Sequence, residues 1–176
     1  MMISTKRSNQ SLNILYGIAA VFAIILGIRL ILFTFISIFG FLLMSIPAIH
    51  SFMMQQLTDA GMTDASLWEI IFFWLILLIT LAARFGVALG LFRLTDDFRK
   101  QPTLDAVNMN NFKLILIADG GYIVAAYIGS FASQIFNLTG ISLFGGGTLT
   151  NILIWLVLYT VYLILKKRSN SVGDNS

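Results

Sequence analysis

The 176-residue chain is 58% hydrophobic and only 11% charged, with a mean hydropathy of +0.90, whereas a soluble domain has about 45–50% apolar and about 25% charged residues. That balance excludes an ordinary water-soluble globule and marks an all-α integral membrane protein with no soluble domain of useful size. The net charge of +3 then reports orientation in a bilayer rather than direct nucleic-acid binding, and the absence of cysteine excludes disulfides, thiolate metal sites and cysteine nucleophiles.

About 20 apolar residues cross a bilayer core of about 30 Å. The first apolar run extends from Ile14 to Ile49, interrupted by Arg29. As one helix it would reach about 54 Å, more than a perpendicular crossing needs. A crossing over 14–40 is expected, with the helix tilted, or broken near Gly40 or at Pro47, which disfavours the helical conformation at Ile46. Lys6 and Arg7 resemble the basic region of a signal peptide, but the apolar run is too long and no A-x-A site follows. The connection that follows carries Asp59 and Asp64 and neither Lys nor Arg. In it His50, Met53, Met54 and Met62 have the soft chemistry that suits Cu(I), although interfacial packing is their ordinary use.

The second crossing is expected over 67–94, interrupted by Arg84. Its helix continues past the bilayer to Lys100, where Pro102 breaks it. Asp96 and Asp97 lie among Arg93, Arg99 and Lys100 and read as a solvated, mutually neutralising face. Phe98, Leu104, Val107 and Met109 are the apolar side chains of this connector, suited to the membrane surface or to docking a partner. The third crossing is expected over 112–136, interrupted by Asp119, and the fourth over 149–165 without a charge. "GGG" at 145–147 lacks the GK[ST] ending of a phosphate loop. The polar end, 169–176, has the composition of a disordered tail. Residues 1–168 thus form one domain of four transmembrane helices. Lys and Arg alternate with the crossings, which places both termini and the 95–111 loop in the cytoplasm. Trp68, Trp74, Trp155, Tyr16 and Tyr162 lie near the ends of the runs, as interfacial anchors do.

An ionisable side chain at membrane depth costs at least about 2.5–3.5 kcal/mol and normally finds a partner. Asp119 lies about 10 Å, and Arg84 about 13 Å, from the same end of their crossings. Consecutive antiparallel helices are usually neighbours, so an Arg84–Asp119 intramembrane ion pair is expected. Arg29 has no equal mate and is an isolated intramembrane charge, left to snorkel outward or to meet Glu69. Ala82, Gly86 and Gly90, and Gly121, Ala125, Gly129 and Ser133, repeat at spacing four, the pattern that lets helices pack closely. Gly86 and Arg84 lie on different faces of their helix, and a homodimer would use the second face. One histidine makes neither an H-E-x-x-H zinc site nor a catalytic triad. No catalytic residue, cofactor motif or metal-ligand set is assigned.

The stretch "GLFRLTDDFRKQPTLDAVNMNNFKLILIADGGY", Gly90 to Tyr122, resembles the DUF2975 family of bacterial four-helix membrane proteins. The resemblance lies in Leu91–Phe92–Arg93–Leu94, the basic stretch, Pro102, Asn110 and the return "FKLILIADGGY". It implies a non-enzymatic protein of the bacterial cytoplasmic membrane and, as a partner, a small cytoplasmic helix-turn-helix regulator. The expected function is that of a sensor or regulatory partner acting through the 95–111 loop. The alternatives are a transporter, ion-coupled or immunity-type protein using Arg84 and Asp119, and an accessory subunit of a larger membrane complex.

Overall fold

The structure is a computed structural model that describes residues 2–43, 46–59, 66–100, 106–135 and 148–173. They form five helices: α1 (Met2–Leu43), α2 (Pro47–Asp59), α3 (Leu67–Lys100), α4 (Ala106–Ile135) and α5 (Thr148–Gly173). Three of them carry stretches long and apolar enough to cross a membrane, Leu12–Leu43, Trp68–Lys100 and Met109–Ile135. In α5 the apolar stretch is shorter, Thr150–Lys166. Phe22, Ile31, Leu42, Ile117 and Val157 are each more than half exposed, far more apolar surface than a soluble protein leaves open. These are the features of a multi-pass helical membrane protein.

The long first run resolves into two helices. α1 ends at Leu43 and α2 begins at Pro47, where proline suits the first helical position because its missing N–H would find no helical partner there. The amide of Ile46 donates to the carbonyl of Leu43, and that of His50 to Ile46, so these groups are paired where α1 gives way to α2. α2 occupies part of what the sequence marks only as a connection. α5 runs on to Gly173, so most of the polar end continues a helix instead of forming the expected tail.

The core is organised around α3. Its interfaces are with α1 and α4, and α4 in turn packs on α5. The contacts run α1–α3–α4–α5, so α3 and α4 each pack against two neighbouring helices. α1 lies against α3 through Gly27 on Phe85 and Tyr16 on Phe92. Small residues set the spacing. On α1, Ala19 and Ala23 are buried and Gly27 lies under the Phe85 ring, where a Cβ would sit 3.1 Å from Cε2. On the other side of α3 a Cβ at Gly86 would sit 3.0 Å from the Cβ of Ala118. One at Gly90 would lie 2.6 Å from Ile115 Cγ1 and 3.4 Å from the carbonyl oxygen of Asn111. Ala125 and Gly129 are buried further along α4, as their spacing predicts. Two members of the predicted rows are not in the seam: Ala82 is exposed, and a Cβ at Gly121 would meet nothing within 4 Å.

Hydroxyl groups inside these helices are satisfied locally, as a low-dielectric surrounding requires. Thr80 and Thr95, both buried, return their hydroxyls to the carbonyls of Ile76 and Leu91, each at 2.8 Å. Thr34 and Ser37 do the same on α1. α3 starts with a capping box, in which Ser66 N donates to Glu69 Oε2 at 2.8 Å and Glu69 N donates to Ser66 Oγ at 3.4 Å.

Gly90→Ala should lower the thermal unfolding midpoint in detergent, by the order of the 1–3 kcal/mol that overpacking costs. Gly121→Ala and Gly17→Ala, where an added methyl meets nothing within 4 Å, should leave it unchanged or raised. Equal gains at all three positions would show that the glycines matter through helix propensity alone.

Candidate functional site

The close approach at Gly86 and Gly90 fixes the register of α3 on α4 and brings Arg84 level with Tyr122. Arg84 Nη2 donates to the Tyr122 hydroxyl at 2.9 Å, and the guanidinium carbon lies 4.8 Å from the centre of the same ring. One phenol thus serves the cation twice, through its lone pair and through its face. The expected ion pair with Asp119 does not form. Among the described residues the ion pairs are those of Asp96, with Arg99 at 3.4 Å and with Lys100, and the Asp119 carboxylate carries no hydrogen bond or ion pair. Depth along the two helices is matched, but Tyr122, one turn further along α4, takes the guanidinium instead.

Arg84, Asp119 and Tyr122 nonetheless line one cavity of about 620 Å³. Its walls come from four helices: Leu15, Ile18, Ala19, Phe22 and Leu26 of α1; Val87, Ala88, Leu91 and Thr95 of α3; Asp119 and Tyr122 of α4; and Asn151 of α5. α1 and α4 both pack on α3, and the residues of all three helices, with Asn151 of α5, face this one space beside the contact. Its volume falls within the roughly 300–1,000 Å³ of ligand pockets, and so does its character, a mostly apolar wall with a few polar groups on it.

α5 delivers Asn151 to this level through an aromatic seam. Trp155 Nε1 donates to the carbonyl of Leu116 at 2.8 Å, and its ring lies against Gly120, where a Cβ would sit 3.2 Å from Nε1. Trp155 stacks on Tyr159 at 5.2 Å between ring centres, and Tyr162 stacks on Phe112 at 6.0 Å. Trp155 opposite Gly120 and Leu116, and Tyr162 opposite Phe112, fix the register. Carried back seven residues, it puts Thr148 about level with Ala125–Tyr127, roughly 12–15 Å short of the end of α4. Trp74 is likewise a packing residue, stacked on Phe33 of α1 at 4.8 Å. Of the three tryptophans only Trp68, 78% exposed, has the surface position expected of an interfacial anchor.

At the other end of α3 the acidic pair divides its work. Asp96 holds Arg99 and Lys100 of its own helix, while Asp97 accepts a hydrogen bond from Asn111 Nδ2 of α4. Arg99 also lies over the Tyr16 ring of α1, 4.3 Å from its centre, and Tyr16 packs on Phe92 at 5.0 Å. Three helices are therefore clamped together here. Phe98 and Met109 are half-buried beside the clamp. Leu104 lies outside the described residues, and Val107 falls in the first turn of α4. Arg29 is exposed on α1 without a partner among the described residues, and Glu69 is engaged at the Ser66 cap. His50 and Met54 lie on α2, while Met62 lies outside the described residues.

Sequence reasoning located Arg84 and Asp119 but missed Tyr122, Asn151 and Gly120. The signal for Gly120 was present, since two adjacent glycines beside a mid-helix carboxylate mark a close approach. The signal for Tyr122 was its position one turn beyond Asp119. Comparison with protein-family models, with curated proteins and with solved structures finds no match.

In a double-mutant cycle read by thermal stability, Arg84→Ala and Tyr122→Phe should couple by about 1 kcal/mol, the net worth of one hydrogen bond. Arg84→Ala and Asp119→Asn should be additive within about 0.5 kcal/mol. Strong coupling of the second pair would restore the ion pair.

Proposed function

We propose that this chain is a regulatory protein of the bacterial cytoplasmic membrane, without enzymatic activity, that acts on a small cytoplasmic transcription regulator. In this reading α5 completes four crossings, both termini are cytoplasmic, and the α3–α4 connector faces the cytoplasm. Alternation of positive residues with the apolar runs supports that orientation, and the resemblance of Gly90–Tyr122 to DUF2975 proteins supports the partner.

The observation that carries the reading is the clamp formed by Asp97 with Asn111 and by Arg99 with Tyr16. A folded, charged end that ties α1, α3 and α4 together presents a defined surface beside the 101–105 connector, and its shape depends on how the three helices lie. A change between the helices at the level of Arg84 is therefore felt at the surface where a regulator docks. The cavity favours a second reading, a transport or ion-coupled role in which Arg84 and Asp119 do the work.

A pull-down from the native host in mild detergent should recover a soluble DNA-binding protein with the wild type. Arg99→Glu, which reverses the charge over Tyr16, should lose it. Recovery of no such protein would move the assignment to transport. Because the chain has no cysteine, a single cysteine at position 104 can also report sidedness. In right-side-out vesicles it should resist an impermeant maleimide until the membrane is opened, and ready labelling from outside would overturn the orientation.

A further inference from the structure

Two opposite charges share the wall of the α1–α3–α4 cavity without meeting. Arg84 is directed onto a neutral phenol, and Asp119 is left without a partner among the described residues. Both face a space whose remaining wall is almost wholly apolar, from Leu15, Ile18 and Phe22 to Leu91. A cation and an anion held apart in a low-dielectric setting are each expensive. An occupant that carried both opposite charges would satisfy both, and an occupant with one charge would leave the other exposed to a like or unpaired neighbour. The apolar wall adds a second requirement. Ile18 and Phe22 are half or more exposed along the cavity, so the site opens sideways, where apolar surface meets acyl chains.

We propose that this cavity binds one molecule of a zwitterionic membrane phospholipid of the phosphoethanolamine type. Its phosphate sits on Arg84 and the Tyr122 hydroxyl, its ammonium on Asp119 with the Asn151 amide beside it, and an acyl chain runs along Leu15, Ile18, Phe22 and Leu91. Arg suits the phosphate through paired N–H donors, and the Tyr122 hydroxyl adds one more. The compact ammonium, with its three donors, matches one carboxylate and one amide oxygen. An anionic lipid would satisfy Arg84 and be repelled by Asp119. A soluble zwitterion would satisfy both charges and leave the apolar wall uncovered. The site does not depend on the regulatory reading, since it would be the same in a transporter.

The test is native mass spectrometry of the purified full chain, released from nanodiscs containing equal amounts of phosphatidylethanolamine and phosphatidylglycerol with matched chains. The wild type should retain a single phosphatidylethanolamine in clear preference. Asp119→Asn should abolish the preference while total lipid retention persists. Arg84→Ala should weaken retention at least roughly tenfold, as loss of a charge-assisted hydrogen bond does. Ile18→Trp, at an exposed position of the apolar wall, fills the cavity without touching a charge and should lose both lipids. Circular dichroism and elution volume establish that each variant is folded. A variant that fails this check is replaced by Arg84→Gln or Ile18→Phe. Equal retention of the two lipids by the wild type, or a preference unmoved by Asp119→Asn, overturns the proposal. So does displacement of the lipid by glycerophosphoethanolamine, which would assign the site to a soluble zwitterion.

Discussion

The backbone of α3 lies against α4 at Gly86 and Gly90, and the polar contacts between these two helices depend on that approach. With a Cβ at Gly86 only 3.0 Å from that of Ala118, the two helices share a register that small residues alone permit. Lipid offers no hydrophobic driving force between helices, so such packing and the hydrogen bonds it allows hold the pair together. The register places Arg84 on Tyr122 and Asp97 on Asn111, two cross-links on either side of the glycines. It also leaves Asp119 on the wall of a cavity that residues of α1 share.

This geometry explains how a chain with a charge inside each of three apolar runs can hold them. Arg84 is solvated by one aromatic hydroxyl and its ring. Asp119 shares a cavity wall with that cation without touching it. Arg29 has no partner among the described residues and lies on the exposed surface of α1, where a long side chain can reach along the helix. The charged end of α3 follows the opposite strategy, with both acids engaged and one arginine spread over an aromatic ring. The two regions are joined by α3 itself, so the helix that carries the clamp also lines the cavity.

Much of this was legible from residue spacing. The apolar runs mark α1, α3 and α4, and Lys100 is where α3 ends. The small-residue rows find Gly86, Gly90, Ala125 and Gly129. What spacing could not decide is rotation about the helix axis. A carboxylate and a guanidinium at matched depth satisfy any rule of proximity, yet a turn of α4 gives Arg84 to Tyr122 instead. The row Ala19, Ala23 and Gly27 on α1 has the same spacing as the others, but its face is defined only once α3 is seen to lie against it. Trp74 and Trp155 were misassigned for a related reason. A tryptophan near the end of an apolar run fits an interface, and only the neighbouring helix shows that Gly120 has made room for its ring.

The direct test of the Gly86–Ala118 contact is a disulfide. Gly86→Cys with Ala118→Cys, in a chain that has no cysteine of its own, puts two thiols at a separation a small shift makes suitable for an S–S bond. Under mild oxidation in membranes this pair should form a disulfide within one chain, so that neither cysteine takes up an alkylating reagent, as read by mass. Ala82→Cys with Gly121→Cys, two positions outside the seam, should keep both thiols free. Oxidation of the second pair with none in the first would mean that α4 is rotated on α3. The glycine seam, the placement of Arg84 on Tyr122 and the cavity would then all be contradicted together.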